Sequence, residues 1–285
     1  MARKTTHSIR LMKKKRKKIV MLTAYDAPTA AILSEVGVDM ILVGDSVGNS
    51  LLGYESTIPV TLDDVIHHSA AVARARPDCL IVGDMPFMSY KISSEQALEN
   101  CSLMLQQGGA EAVKIEGGSD SVVEIVKTIV DAGIPVMGHI GLTPQSIYQL
   151  GGYRIQGRTA EMAEVLVQQA VKLEEAGAFS MVVELVPSET AKIITETVGI
   201  PTIGIGAGPY CDGQVLVLWD MLGLFEDFKP KFVKKYANVR DLIKNAVSEY
   251  SNEVRAGMFP DEKHSFEMSE EETGRLYGRT KPKDD

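Results

Sequence analysis

Apolar residues recur in short, nearly unbroken runs, and their β-branched content marks them as strands covered on both faces. The runs lie at Ile19–Leu22, Met40–Val43, Leu80–Val82, Ala112–Ile115, Val136–Met137, Met181–Val183, Thr202–Ile205 and Val215–Trp219. Segments with helical periodicity separate them, at Thr29–Val36, Ser94–Gln107, Asp120–Ala132, Glu161–Ala176 and Ser188–Val198. Several helices end on Gly followed closely by the next strand, as in AGIPV, AGAFS and VGIPT. Eight such β–α units without a break in composition predict a single α/β domain, a (β/α)8 TIM barrel. A doubly wound open sheet is the structural alternative, and acids scattered over several strand ends favour the barrel. The barrel is assigned to residues 1–266 and a charged, disordered tail to 267–285, because the tail has little apolar surface to bury.

Two connections are long. Residues 46–77 hold a Gly-rich stretch, STIPVT and a helix near Leu62–Ala75; residues 141–158 hold Thr143-Pro144 and GGYRIQGR. Long loops at the C-terminal face of a barrel cover or line its site. A further helix is expected at Val239–Ala256.

The 285 residues are 45% hydrophobic with net charge −8, which suits a full core and disfavours nucleic acid or anionic membrane as general partners. No apolar run approaches the roughly 20 residues of a membrane helix. Cys79, Cys101 and Cys211 are sparse and lack a C-x-x-C pattern, which suits a reducing cytoplasm. The basic run from Lys13 to Lys18 reads as a solvated helical entry to the first strand rather than a nucleic-acid patch.

Against this frame, three acids stand at strand ends: Asp45, Asp84 and Glu116. Converging at one face, such hard oxygen donors suit Mg2+ more than zinc; the alternative is that each caps a following helix. Lys114 precedes Glu116 by two, so strand alternation points both to one side. That pair calls for a metal or an anionic substrate beside it, or else is a salt bridge on a frayed strand. Glu184, after the sixth run, is a candidate general base or an ion-paired capping acid. His139 is a candidate substrate contact or a satisfied structural histidine. Glycines at Gly204–Gly208 match no phosphate-binding fingerprint.

Taken together, TAYDAPTA, LVGDSVGNSLLGYESTIPVT, DMPFMSY, AVKIEGG, GHIGLTPQS, GGYRIQGR, VELVPSE, IGIGAGPYCDGQVLV, PKFVKKYANV and FPDEKHSF span about residues 20–266. In this order they resemble the ketopantoate hydroxymethyltransferase family. The resemblance implies a barrel of the phosphoenolpyruvate/pyruvate-like type, one Mg2+ per subunit and a homodecamer. It implies transfer of a hydroxymethyl group from 5,10-methylenetetrahydrofolate to 3-methyl-2-oxobutanoate, yielding 2-dehydropantoate on the way to pantothenate. By matching motifs it gives Asp45, Ser46, Asp84 and Lys114 to the substrate, Asp45, Asp84 and Glu116 to the metal, and Glu184 the role of proton acceptor. His139 is left without a defined role. Trp219 departs from the family pattern, standing where relatives often carry His. A metal-dependent lyase or mutase acting on a related 2-oxo acid is the enzymatic alternative, and a catalytically silent metabolite sensor is the alternative from another class.

Overall fold

Runs of Val, Ile, Leu and Met that are apolar on both faces can only be satisfied between two layers, and here they form a closed cylinder. The computed structural model describes residues 3–225 and 230–280. Helix α1 (Thr6–Lys14) leads into strand β1 (Ile19–Thr23), helix α2 (Ala27–Glu35) and β2 (Met40–Val43). Next come α3 (Leu62–Arg74), β3 (Leu80–Asp84), α4 (Ser94–Gln106), β4 (Ala112–Glu116), α5 (Asp120–Asp131) and β5 (Val136–Gly141). The short α6 (Ile147–Leu150), α7 (Ala160–Glu175), β6 (Ser180–Glu184), α8 (Ser188–Thr197), β7 (Thr202–Ile205), β8 (Gly213–Leu216) and α9 (Leu218–Met221) follow. All ladders are parallel, and the eight strands run in sequence order around a closed barrel, as the alternation of elements predicts.

Side-chain alternation divides the core in two. Met40, Leu42, Leu80, Val82, Ala112, Met137, Val182 and Val215 fill the lumen. Their neighbours Ile41, Ile81, Val113 and Val183 face outward and pack with helix residues such as Leu33, Val72, Met104, Ile129 and Leu173. Ile9 of α1 joins the lumen cluster with no exposed surface, so the N-terminal helix contributes to the interior of the barrel.

Local signals set the helix boundaries. Asp26 accepts a hydrogen bond from Thr29 N at 2.8 Å and starts α2, and Thr61 and Asp64 form a reciprocal capping box at α3. Gly177 adopts φ +94° after α7, a left-handed turn that a side chain would strain.

Four features differ from the sequence expectation. Strand β8 begins at Gly213 and ends at Leu216, and Leu218–Met221 is helical. A Cβ at Gly213 would lie 2.5 Å from Ile19 O, so the pairing with β1 starts where only glycine fits. An apolar run by itself does not separate a buried strand from a buried helical turn. Strand β5 extends to Gly141, which places His139 inside the strand rather than after it. The basic run is not merely solvated: Lys13 Nζ reaches Thr195 O (2.8 Å), Ile200 O (2.9 Å) and Asp212 Oδ2 (3.0 Å), and Lys18 Nζ reaches Cys211 O (2.6 Å). Carbonyls left open near the end of α8, just before β7 and just before β8, together with the Asp212 carboxylate, take up these ammonium donors. The tail expected to be disordered contains helix α11 (Glu270–Thr280), in which Arg275 pairs with Glu271 and Glu272 at i−4 and i−3; residues 281–285 of that tail lie outside the described residues.

Residues 1–236 and 237–285 form two compact units. The first ends at Tyr236; α10 (Val239–Arg255), in the second, has no buried residue. Among the described residues, no helix is long and apolar enough to cross a membrane.

Candidate active site

The lumen periodicity that makes the barrel core apolar turns polar at its C-terminal end. Val82 and Asp84 share one parity on β3, as do Ala112, Lys114 and Glu116 on β4, Met137 and His139 on β5, and Val182 and Glu184 on β6. Register then brings neighbours level: Asp84 lies opposite Lys114, and Glu116 opposite His139. Asp45 enters from just beyond β2. Gly44 leaves room for the Asp84 and Ser46 side chains beside it, since a Cβ there would come within 3.1 Å of both Asp84 Oδ2 and Ser46 Oγ.

The three acids predicted from strand ends do meet. Asp45, Asp84 and Glu116 are buried, and one carboxylate oxygen of each lies within 4.8 Å of the others. Lys114 Nζ sits between two of them, 2.8 Å from Asp84 Oδ1 and 3.2 Å from Glu116 Oε1. This is a buried ion cluster, and the frayed-strand alternative fails because Lys114 is only 3% exposed. His139 continues the chain of contacts: Nδ1 lies 3.3 Å from Glu116 Oε1, and Nε2 lies 3.1 Å from Glu184 Oε2. Glu184 is therefore joined to the acid cluster through His139, and it stays partly open to solvent. Ser46, on the same turn as Asp45, is bonded to the buried Tyr25 hydroxyl at 2.8 Å.

Electrostatics separate the acids. Burial, with the charges of Asp84 and Glu116, pushes the Asp45 carboxyl well above its ordinary value. Burial also raises Asp84, although Lys114 pulls it back. Burial works upward on Glu116 too, but Lys114 and His139 outweigh it and hold Glu116 at about 2. Lys114 is raised because Asp84, Glu116 and Asp45 overcome the cost of burying its charge. Burial and Lys114 disfavour a charged His139, yet its contacts with Glu116 and Glu184 hold it up to about 9. Three buried carboxyls facing one lysine, two of them forced upward, form a site that a divalent cation would complete. The all-oxygen donor set fits Mg2+.

The structure adds residues that sequence reasoning did not single out. Gln145, in the loop after β5, is 2% exposed and donates from Nε2 to Asp45 Oδ2 (3.0 Å) and Met85 O (2.9 Å). Its backbone N–H donates to Glu116 Oε2 (3.1 Å). The Tyr90 hydroxyl lies 2.9 Å from Glu116 O and 3.1 Å from Gln145 Oε1. The one available signal was the length of the loop at 141–158, which pointed to the region but not the residue. By contrast, the glycines at Gly204–Gly208 answer to packing: a Cβ at Gly208 would lie 2.6 Å from Ser188 Cβ.

A family model described as ketopantoate hydroxymethyltransferase matches residues 3–262. A 3-methyl-2-oxobutanoate hydroxymethyltransferase of Syntrophomonas wolfei is 55% identical over 97% of this chain and 100% of its own. One from Syntrophus aciditrophicus is 56% identical over 92% of this chain and 96% of its own. Among solved structures, 2,3-dimethylmalate lyase, a member of the PEP mutase/isocitrate lyase superfamily, superposes with a TM-score of 0.56 at 14% identity, covering 97% of this chain and 99% of that one. Phosphonopyruvate hydrolase in complex with oxalate and Mg2+ gives a TM-score of 0.57 at 12% identity, covering 97% of both chains. The structural likenesses establish the barrel type; the sequence matches go further, and the chain is a transferase that belongs to the ketopantoate hydroxymethyltransferase family.

Proposed function

We propose that the chain transfers a hydroxymethyl group from 5,10-methylenetetrahydrofolate to 3-methyl-2-oxobutanoate, producing 2-dehydropantoate and tetrahydrofolate on the route to pantothenate. The observation that carries this reading is the line of contacts from Asp84 through Lys114, Glu116 and His139 to Glu184. It supports reading one end of the barrel mouth as cation-binding and anion-accepting and the partly open Glu184 as its carboxylate base.

Asp45, Asp84 and Glu116 would hold one Mg2+, which when bound supplies Lewis-acid stabilisation for charge developing on the substrate keto oxygen. Lys114 and Ser46 bind the substrate carboxylate, with Asp45 and Asp84 bordering the same end. Glu184 takes the proton from C3, and His139, charged between Glu116 and Glu184, keeps that carboxylate in place. The electron pair left at C3 attacks the methylene carbon of the folate as one C–N bond of the donor breaks, water then supplies the hydroxyl as the second C–N bond breaks, and the proton held by Glu184 and the remaining water proton end on the two folate nitrogens.

The cytoplasm is the proposed compartment, and a homodecamer the proposed assembly, without nucleic-acid or membrane partners. Helix α10 supports self-association, because Ile243, Val247, Tyr250 and Val254 are all exposed along it.

Glu184→Gln tests the core of this proposal. The variant should bind 3-methyl-2-oxobutanoate as the parent does and lose exchange of its C3 hydrogen with solvent deuterium; full exchange in the variant overturns the assignment. An assay of hydroxymethyl transfer with and without Mg2+ and with and without the folate tests the donor and the metal.

A further inference from the structure

Three carboxylates by themselves do not choose between divalent cations. A Ca2+ ion takes roughly six to eight oxygens and readily accepts both oxygens of one carboxylate, whereas Mg2+ demands near-octahedral geometry and takes few protein ligands. The choice depends on how many oxygens the protein leaves open and how firmly it holds them. In this barrel the carboxylates are already partly engaged. Asp45 Oδ2 accepts from Gln145 Nε2 at 3.0 Å, and Glu116 Oε2 accepts from the Gln145 backbone N–H at 3.1 Å. Asp84 Oδ1 pairs with Lys114 Nζ at 2.8 Å, and Glu116 Oε1 lies 3.2 Å from the same ammonium. Each acid thus has at least one oxygen committed to the protein, and none offers a free pair.

Gln145 makes two of these commitments, and its orientation is fixed. Its side-chain nitrogen lies 2.9 Å from Met85 O, a main-chain carbonyl that can only accept. The nitrogen, not the oxygen, therefore faces Met85 and Asp45. Met85 is held in turn, its N–H donating to Lys114 O at 3.0 Å. The amide oxygen of Gln145 then needs a donor, and the Tyr90 hydroxyl stands 3.1 Å from it. Main-chain groups set the direction here too. Glu116 N–H can only donate, and it reaches the Tyr90 oxygen at 3.2 Å; Glu116 O can only accept, and it lies 2.9 Å away. The hydroxyl hydrogen is left to two acceptors, Glu116 O and Gln145 Oε1. Because β3 ends at Asp84, Glu116 has no strand partner on that side, and the Tyr90 hydroxyl takes its place. Tyr90 has no exposed surface and Gln145 only 2%, so bulk water does not compete for these bonds.

We propose that Gln145, braced by Tyr90, is a positioning residue that keeps Asp45 and Glu116 from offering both oxygens to one cation, and so selects small octahedral cations such as Mg2+ over Ca2+. The inference rests on reading Asp45, Asp84 and Glu116 as the cation site. Loss of the Gln145 donor frees Asp45 Oδ2 and lets that carboxylate turn, which favours the larger cation and its variable geometry.

The test is a competition between cations on the full-length protein without substrate. Mn2+ is titrated by its paramagnetic signal and then displaced by Mg2+ or by Ca2+, which gives the ratio of the Ca2+ to the Mg2+ dissociation constant. In Gln145→Leu that ratio should fall about 10-fold, because Mg2+ affinity drops and Ca2+ affinity falls by much less. Tyr90→Phe keeps the ring, removes the hydroxyl and should shift the ratio the same way by a smaller factor. A merely structural role would weaken both cations alike, so an unchanged ratio in Gln145→Leu overturns the inference. An unchanged ratio in Tyr90→Phe beside a lowered one in Gln145→Leu overturns the brace alone. Glu116→Gln separates this inference from the reading beneath it. Parent-like Mn2+ binding in that variant, or none in the parent, overturns the cation site and the inference with it. Thermal melting checks that each variant folds, and if Gln145→Leu does not, Gln145→Met removes the same donor with a side chain of similar length.

Discussion

Asp84 and Lys114 stand opposite each other in the β3–β4 ladder, and their charged ends meet 2.8 Å apart inside the barrel. Lys114 is thereby the counter-charge for three buried acids whose mutual repulsion would otherwise oppose folding. The same arrangement leaves the cluster short of positive charge until a cation arrives.

Replacing Lys114 by methionine should therefore cost both stability and activity. The fold should lose roughly 3–5 kcal/mol, the range for removing one partner of a buried pair. Mg2+ should restore part of that loss by supplying charge to the same carboxylates. Urea unfolding with and without Mg2+ measures both effects; an unaltered midpoint in the variant would contradict the account. On the proposed role of Lys114, turnover should fall by about 100-fold or more, because the substrate carboxylate would lose its cation.

Gln145 ties the acid just beyond β2 to the acid ending β4, through Asp45 Oδ2 and Glu116 Oε2. In Gln145→Leu the backbone donor to Glu116 survives and the side-chain donor to Asp45 is gone. Affinity for a divalent cation should drop by about 10- to 100-fold, as for other residues that orient ligands. Titration with Mn2+ followed by its paramagnetic signal reads this without relying on catalysis, and parent-like affinity would argue against it.

His139 carries a pH signature. Its value in the folded, metal-free protein is about 9, above the ordinary 6.5. A raised folded value means that the protonated form stabilises the fold fully below about 6.5, and that this contribution disappears as pH climbs through about 9. Glu116 and Glu184 favour the charged ring, and Lys114 opposes it. The unfolding free energy of the parent should decline across that window, and His139→Gln should flatten the decline. A parent curve parallel to that of the variant would disprove the coupling.

Ile9 tests the bottom of the barrel separately from its mouth. It is fully buried in the lumen cluster with Ile19, Met21 and Met40. Ile9→Ala should lower stability by about 2–5 kcal/mol, the usual cost of emptying such a site. KM and kcat at saturating Mg2+ should stay near parental values, because the substitution lies at the N-terminal end of the barrel. Denaturant melts and steady-state kinetics on the same preparation check both parts.

The barrel was largely legible in the chain because its strands are short, apolar and separated by helices with clear Gly and Asp punctuation. Where legibility failed, the cause was competition between local and distant terms. Val215–Trp219 is apolar enough for a strand, yet Gly213 is the residue that can sit against Ile19 O, and the ladder with β1 shifts to it. Lys13 and Lys18 read as solvated from their neighbours in sequence, whereas the carbonyls they bind belong to residues 195–211.

The candidate site divides in the same way. Alternation along β4 already placed Lys114 and Glu116 on one side, and the strand-end positions of Asp84 and Glu184 followed from hydrophobic runs alone. Those relations are local, set by the two-residue period of a strand. Whether the acids converge, how Lys114 is shared between Asp84 and Glu116, and how His139 links Glu116 to Glu184 depend on barrel closure and register, which join residues far apart in the chain. Gln145 is a hundred residues from Asp45 and meets it only because the loop after β5 folds over the mouth. The sequence by itself determined which chemical groups stand at the strand ends; the tertiary structure decided their partners and charges, because burial and cross-strand distance exist only once the cylinder has closed.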